Sequence, residues 1–126
     1  MKRFLASIAV STCLLVSTLA GTAMADWEIT TVDGDGTNVG RYVSMKLDPS
    51  GNPCVAYQDF TGGALGKLKY AKFNGSAWNI TQVSNASYGN YLGHYSSLAL
   101  DASGNPSIAC WGNAHVQPFY IKGRNK

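Results

Sequence analysis

Residues 42–53 read Tyr-Val-Ser-Met-Lys-Leu-Asp-Pro-Ser-Gly-Asn-Pro, and residues 95–106 read Tyr-Ser-Ser-Leu-Ala-Leu-Asp-Ala-Ser-Gly-Asn-Pro. The two stretches are identical at most of their positions. Each begins with the alternating pattern of a half-buried strand and ends in a turn, where Gly supplies a positive φ and Pro closes the turn. The chain therefore contains a strand-and-turn unit that occurs twice.

The repeat extends beyond this stretch in both directions. Three further segments recur: 55–57 as 108–110, 69–72 as 119–122, and 26–32 as 77–83. The spacing between matched segments changes only in Gly-rich stretches, so the insertions fall in loops. Self-similarity of this kind is the signature of repeat architectures.

Each unit predicts four short strands in the order A, B, C, D. The predicted strands are 43–47, 54–58, 68–73 and 78–83 in the first unit, and 96–100, 107–111 and 119–122 in the second. Asn74-Gly75 is a strong hairpin signal between C and D. No stretch after residue 25 has apolar residues spaced at the 3.6-residue period of a helix. The fold class is therefore all-β.

Two four-stranded antiparallel units of this period predict two blades of a partial β-propeller. Blade 1 spans about 42–84, and blade 2 spans about 95–122 plus the N-terminal strand 26–33, which is able to complete a final blade. A two-sheet sandwich of eight strands is the alternative. The order D, A-B-C-D, A-B-C adds up to whole blades, which favours a finished chain over a fragment of a longer propeller.

The repeated motifs resemble a known group of proteins. Leu-Asp-x-Ser-Gly-Asn-Pro, a Val/Ile-Ala-Tyr strand, Leu-Lys-Tyr-Ala and Asn-Gly-Ser-x-Trp are similar to the blade repeat of secreted bacterial β-propellers, which are grouped with sialidase-like or neuraminidase-repeat proteins. The resemblance covers Asp26 to Lys122 and implies the architecture. The neuraminidase-type Asp box, Ser-x-Asp-x-Gly-x-x-Trp, is absent.

Residues 1–25 have the features of a Sec-type signal peptide. Lys2 and Arg3 precede an apolar stretch that ends in Ala23-Met24-Ala25, the pattern that signal peptidase cleaves. We expect a bacterial protein that is secreted or periplasmic, with residues 26–126 as its mature domain and no membrane insertion after cleavage. The mature chain is nearly neutral, and only 13% of all residues are charged, which argues against nucleic acid as a partner.

Two blades alone would leave two sheet faces uncovered. Four strands present about 350 Å² per face, and two such faces exceed the apolar patch of about 300–600 Å² found on a typical monomer. The second unit is also very apolar, as in strands that are covered on both sides. We therefore expect a ring-shaped homo-oligomer, with three chains as the first guess, in which Asp26 to Val32 completes a neighbour's final blade.

Ligands of propellers usually meet the face formed by the D–A and B–C loops. The repeat aligns Arg41 with His94, each just before the Tyr that opens strand A. The candidate ligand-binding residues near this mouth are Arg41, Tyr42, Asp59, His94, Tyr95, Trp111 and His115. Aromatic rings beside Arg, Asp and His suit carbohydrates or small polar ligands, although each residue could also be an ordinary core or loop residue.

The sequence favours binding over catalysis. A glycosidase of ordinary type needs two carboxylates that flank the bond, and the mature chain has one Glu, Glu28, on an outer strand. We expect a secreted non-enzymatic binding module for glycan or protein, with no catalytic residues, cofactor or metal site. The alternatives are a fragment or relative of a sialidase-like glycoside hydrolase and a self-assembling structural repeat. Cys54 and Cys110 align to opposite ends of strand B, which predicts free buried thiols.

Overall fold

The computed structural model describes residues 26–34, 38–61, 66–84, 92–112 and 117–124. Its strands are β1 Val39–Leu47, β2 Pro53–Asp59, β3 Lys67–Phe73, β4 Trp78–Gln82, β5 Leu92–Leu100, β6 Pro106–Gly112 and β7 Gln117–Lys122. These residues contain no helix, and so none that could cross a membrane. The predicted signal peptide, residues 1–25, lies outside the described residues.

The strands form two antiparallel sheets. Sheet 1 has the order β1-β2-β3-β4, and sheet 2 has the order β5-β6-β7. The all-β prediction and the seven predicted strands are confirmed, with shifted boundaries. Within one chain, residues 26–34 form no strand; Val32 and Asp33 contact sheet 1, whereas Trp27 and Ile29 are exposed. Sheet 2 consequently has three strands.

The repeated turns explain why the first two strands of each sheet form a hairpin. Asp48 and Asp101 each accept hydrogen bonds from the backbone amides two and four residues further along, at 2.8–2.9 Å. Gly51 and Gly104 have φ values of +83° and +77°, a backbone region that only Gly occupies at no steric cost. Each turn is thus stabilised by the side chain of its own first residue, Asp48 or Asp101.

The main core lies between the two sheets. Its buried residues are Cys54, Ala56, Leu68, Leu92, Leu98, Ile108 and Cys110. Two polar contacts join the sheets: the Leu98 amide donates to Ser44 Oγ at 3.0 Å, and Gln58 Nε2 donates to the Leu92 carbonyl at 3.1 Å. Cys54 and Cys110 are free and buried, as predicted.

A second apolar cluster covers the opposite face of sheet 1. Val55, Tyr57 and Ala71 form it, and Val32 of the N-terminal segment packs against them. Next to Val32, Asp33 accepts a hydrogen bond from the Tyr57 hydroxyl at 2.7 Å. The N-terminal segment and sheet 2 therefore lie on opposite faces of sheet 1.

Candidate functional site

Five of the seven predicted site residues meet at one edge of the two sheets. These are Arg41, Tyr42, His94, Tyr95 and Trp111, which are linked by ring contacts or lie next to a linked residue in β1. Asp59 ends β2 at the same edge but belongs to a separate ion-pair cluster. His115 lies outside the described residues. The structure thus brings five of the seven residues together at one edge.

An irregular backbone positions the two tyrosines. The strand pairing is interrupted around Arg41 in β1 and around His94 in β5. Tyr42 and Tyr95 both adopt left-handed backbone conformations, with φ values of +52° and +53°. Such conformations cost a non-Gly residue about 1–2 kcal/mol and concentrate at functional sites. The repeat therefore keeps the same strained geometry at both copies of the tyrosine.

The rings at this edge form a continuous aromatic cluster. Tyr42 stacks on His94 with a centroid separation of 4.8 Å and an interplanar angle of 27°. Its ring lies 5.0 Å from that of Tyr95, and Trp111 meets the His94 ring edge-on at 5.4 Å. Tyr95 is 74% exposed. The cluster thus offers the open face of the Tyr95 ring, beside the partly exposed Tyr42 ring and the half-buried rings of His94 and Trp111.

His94 supplies the polar group of this cluster. Its Nε2 is buried and has no hydrogen-bond partner among the described residues. Burial lowers the pKa of His94, and the positive charge of Arg41 lowers it further. The imidazole is therefore neutral at physiological pH, with a ring nitrogen able to donate or accept a hydrogen bond.

Arg41 is held beside the cluster by two residues that the sequence analysis missed. Its guanidinium lies over the Phe60 ring, 4.9 Å from the centroid, and its Nε donates to Asn38 Oδ1 at 3.0 Å. A cation over an aromatic face gains about 0.5–1 kcal/mol at an exposed site. Phe60 directly follows Asp59 at the end of β2, which was the available signal.

Asp59 belongs to an ion-pair cluster and not to the aromatic cluster. Lys69 Nζ lies 3.0 Å from Asp59 Oδ2 and 2.9 Å from Asp33 Oδ2. Burial would raise the pKa of Asp59, but hydrogen bonds from Thr61 and the ion pair with Lys69 lower it to about 2. Asp59 is thus ionised at neutral pH and does not serve as a proton donor there.

The same cluster breaks the repeat. Lys69 aligns with Phe119, and the two acidic residues align with Ser84 and Gly112. The two carboxylates also raise the pKa of Lys69, against the opposing effect of burial. The difference between the repeat copies at these three positions was the sequence signal for the cluster. It was missed because only the positions that match between the copies were considered.

The described residues contain no group of three or more His, Cys, Asp or Glu side chains that could hold a metal ion. Comparison with family models, with curated proteins and with solved structures finds no significant match for this chain. The fold and the site define an all-β protein of two packed antiparallel sheets, with an aromatic and cationic cluster at one edge.

Proposed function

We propose that this protein is a secreted, non-enzymatic binding module that recognises a carbohydrate at the aromatic edge. In this proposal the two sheets are successive blades of a β-propeller, and the edge is part of its ligand mouth. The observation that carries the proposal is the pair of strained tyrosines, which hold an exposed ring beside the unpartnered Nε2 of His94.

The chemistry of the cluster suits a sugar ring. The exposed Tyr95 ring offers a flat apolar surface, against which the C–H face of a pyranose can pack. His94 Nε2 and the Arg41 guanidinium offer hydrogen bonds for hydroxyl groups nearby. Binding sites commonly combine aromatic lining with a few placed polar groups of this kind. The backbone strain supports the assignment, because residues held in sparsely populated backbone conformations cluster at binding sites.

The electrostatics favours binding over hydrolysis. The carboxylate at this edge, Asp59, is ionised and paired with Lys69, so it is poorly suited to act as a general acid. Lys69 is also bound to Asp33. Secretion is proposed from the N-terminal sequence pattern. An exported protein would meet extracellular glycans.

A glycan array followed by isothermal titration tests this proposal. Tyr95→Ala removes the exposed ring and is expected to weaken binding of the selected glycan at least tenfold. Tyr95→Phe keeps the ring and is the matched control, with an expected change below threefold. Trp111→Ala removes the ring that supports His94 and is expected to weaken binding as well.

Three outcomes would overturn the proposal. These are the absence of any glycan ligand, equal affinities of the Tyr95→Ala and Tyr95→Phe variants, and hydrolysis of an artificial sialoside by the wild-type protein. The last outcome would establish the sialidase-like alternative. Binding of a protein ligand that is lost in the Tyr95→Ala variant would keep the site and change its ligand class.

A further inference from the structure

We infer that a second copy of this chain docks on the protein head to tail and that residues 27–31 of each copy form the fourth strand of sheet 2 in the next. This goes beyond the proposed ligand recognition and does not depend on it. The inference is carried by the internal repeat, because the exposed outer face of each sheet matches a sheet face that is already covered within the same chain.

The N-terminal segment lies on sheet 1 in the position that the residues following β4 occupy on sheet 2. Val83 follows β4 and packs into the core against sheet 2. Val32 is the repeat equivalent of Val83 and packs in the same way against the outer face of sheet 1. The residues before Val32 therefore correspond to β4, yet they pair with neither sheet of their own chain.

The pairing of β3 with β4 defines the register of the missing strand. Lys72 lies opposite Asn79 in sheet 1. The repeat equivalents of these two residues are Lys122 in β7 and Glu28 in the N-terminal segment. Transferred to sheet 2, the register places Glu28 of one copy opposite Lys122 of the next. Opposite charges on paired strands stabilise the pairing, which supports a second copy as the occupant.

The apolar residues of the segment match the edge of sheet 2 in the same register. Ala71 lies opposite Ile80 in sheet 1, and the equivalents are Ile121 and Ile29. Ile29 is 93% exposed in the single chain. A cavity of about 370 Å³ beside β7 is lined in part by Phe119 and Ile121. Ile29 of a neighbouring copy would fill this side of sheet 2.

The exposed sheet faces are complementary for the same reason. Met45 is 56% exposed on the outer face of sheet 1, whereas its repeat equivalent Leu98 is 2% exposed beneath sheet 1. Ser97 on the outer face of sheet 2 is equivalent to Ser44, whose hydroxyl accepts the hydrogen bond from Leu98. A second copy would therefore repeat a contact that the chain already makes with itself.

The size of the interface suits a stable assembly. Two faces of about 350 Å² each contribute about 700 Å², and the added strand brings the total toward the ~1,000 Å² of a specific interface. The contact is heterologous, so repetition gives either a closed ring or an open filament.

Charge reversal at the predicted pair tests the inference. Glu28→Lys and Lys122→Glu each place like charges opposite one another, and each is expected to weaken association about tenfold, because a favourable pair becomes a repulsive one at every interface. The double variant restores opposite charges and is expected to associate like the wild type. Asn79→Lys changes charge at the repeat-equivalent exposed position of β4 and is expected to leave association unchanged.

The protein is produced from the full sequence, and its mass is followed by light scattering across a dilution series. A wild-type protein that remains monomeric at about 100 µM overturns the inference. It is also overturned if the single charge variants associate like the wild type, or if the double variant is no better than either of them. Glycan binding by a monomer would leave the proposed function intact, so the two failures are distinguishable.

Discussion

Val32 lies against sheet 1 as Val83 lies against sheet 2, and both valines are half-buried. The two residues are repeat equivalents, but only Val83 is preceded by a paired strand. The N-terminal segment is therefore held on the protein by its last residues while residues 27–31 have no strand partner. The contacts that hold the segment in place are therefore distinct from any strand pairing of residues 27–31.

The ion-pair cluster is expected to hold the segment. Lys69→Met leaves Asp33 and Asp59 buried without their common cation, and breaking a buried pair in this way costs several kcal/mol. We expect the free energy of unfolding to fall by about 3 kcal/mol, measured by urea denaturation.

Lys67→Met is the matched control for this variant. Lys67 begins the same strand and is exposed, so the change is expected to stay within about 0.5 kcal/mol. Equal stabilities of the two variants would show that the cluster does not stabilise the fold. Faster hydrogen exchange in residues 26–34 of the Lys69→Met variant would identify the segment as the part released.

The strands of both sheets could be predicted because their boundaries are set locally. Asp48 and Asp101 satisfy their own turns, so each hairpin can be read from one short stretch. The N-terminal strand stays a prediction, because a strand exists only where another edge pairs with it, and residues 26–34 pair with no edge of their own chain. Sequence pattern alone specifies the propensity of residues 26–33 and not the presence of a partner edge.

The candidate site could be predicted only in part. The repeat alignment brought Arg41 and His94 together correctly, because equivalent positions in stacked units lie at the same edge. The left-handed conformation of Tyr42 and Tyr95 could not be foreseen, since few non-Gly residues adopt it. Phe60, beneath the Arg41 guanidinium, was missed because its role depends on the conformation of the loop end after β2.

The strain at Tyr95 predicts an unusual response to substitution by Gly. Tyr95→Gly and Tyr95→Ala both remove the exposed ring, but only Gly adopts a φ of +53° without steric cost. We expect the free energy of unfolding of the Gly variant to be about 1 kcal/mol higher than that of the Ala variant. At an ordinary strand position, the Ala variant would be the more stable of the two. An Ala variant that is at least as stable as the Gly variant would contradict a strained backbone at this position.

Stability is expected to depend on pH in two separate windows. The folded-state pKa of His94 is lowered, so the unfolded chain binds a proton more readily, and stability falls as pH drops below about 6.5. The folded-state pKa of Asp59 is about 2 against a normal 3.8, so its contribution is present above pH 4 and is lost between about pH 4 and 2.

Urea denaturation of wild type and His94→Gln at several pH values separates these windows. The His94→Gln variant is expected to lose the decline just below pH 6.5 and to keep the one below pH 4. A wild-type stability that rises on acidification from pH 7 to 5.5 would contradict the depressed pKa of His94.

Cys54 and Cys110 are expected to resist alkylation in the folded protein. Cys54 is fully buried, and burial raises the pKa of the Cys110 thiol in spite of a hydrogen bond with the Gly93 backbone. Reaction requires the thiolate and access to it. Mass spectrometry of the two Cys-containing peptides should show iodoacetamide adducts at pH 8 only after denaturation. Rapid labelling of the native protein, or a disulfide between these residues, would contradict the buried thiols.

The hydrogen bond between the sheets allows the proposed docking to be compared with a contact inside the chain. Ser44→Ala leaves the Leu98 amide without its acceptor at the sheet interface, and we expect a loss of about 1–2 kcal/mol in the free energy of unfolding. Ser97→Ala changes the exposed equivalent and should not alter the unfolding of a single chain. In the inferred assembly, a backbone amide of the neighbouring copy donates to Ser97 Oγ as the Leu98 amide donates to Ser44 Oγ. The Ser97→Ala variant should therefore weaken association severalfold in a light-scattering dilution series. Unchanged association of the Ser97→Ala variant would mean that the second copy, if bound, does not repeat the internal contact.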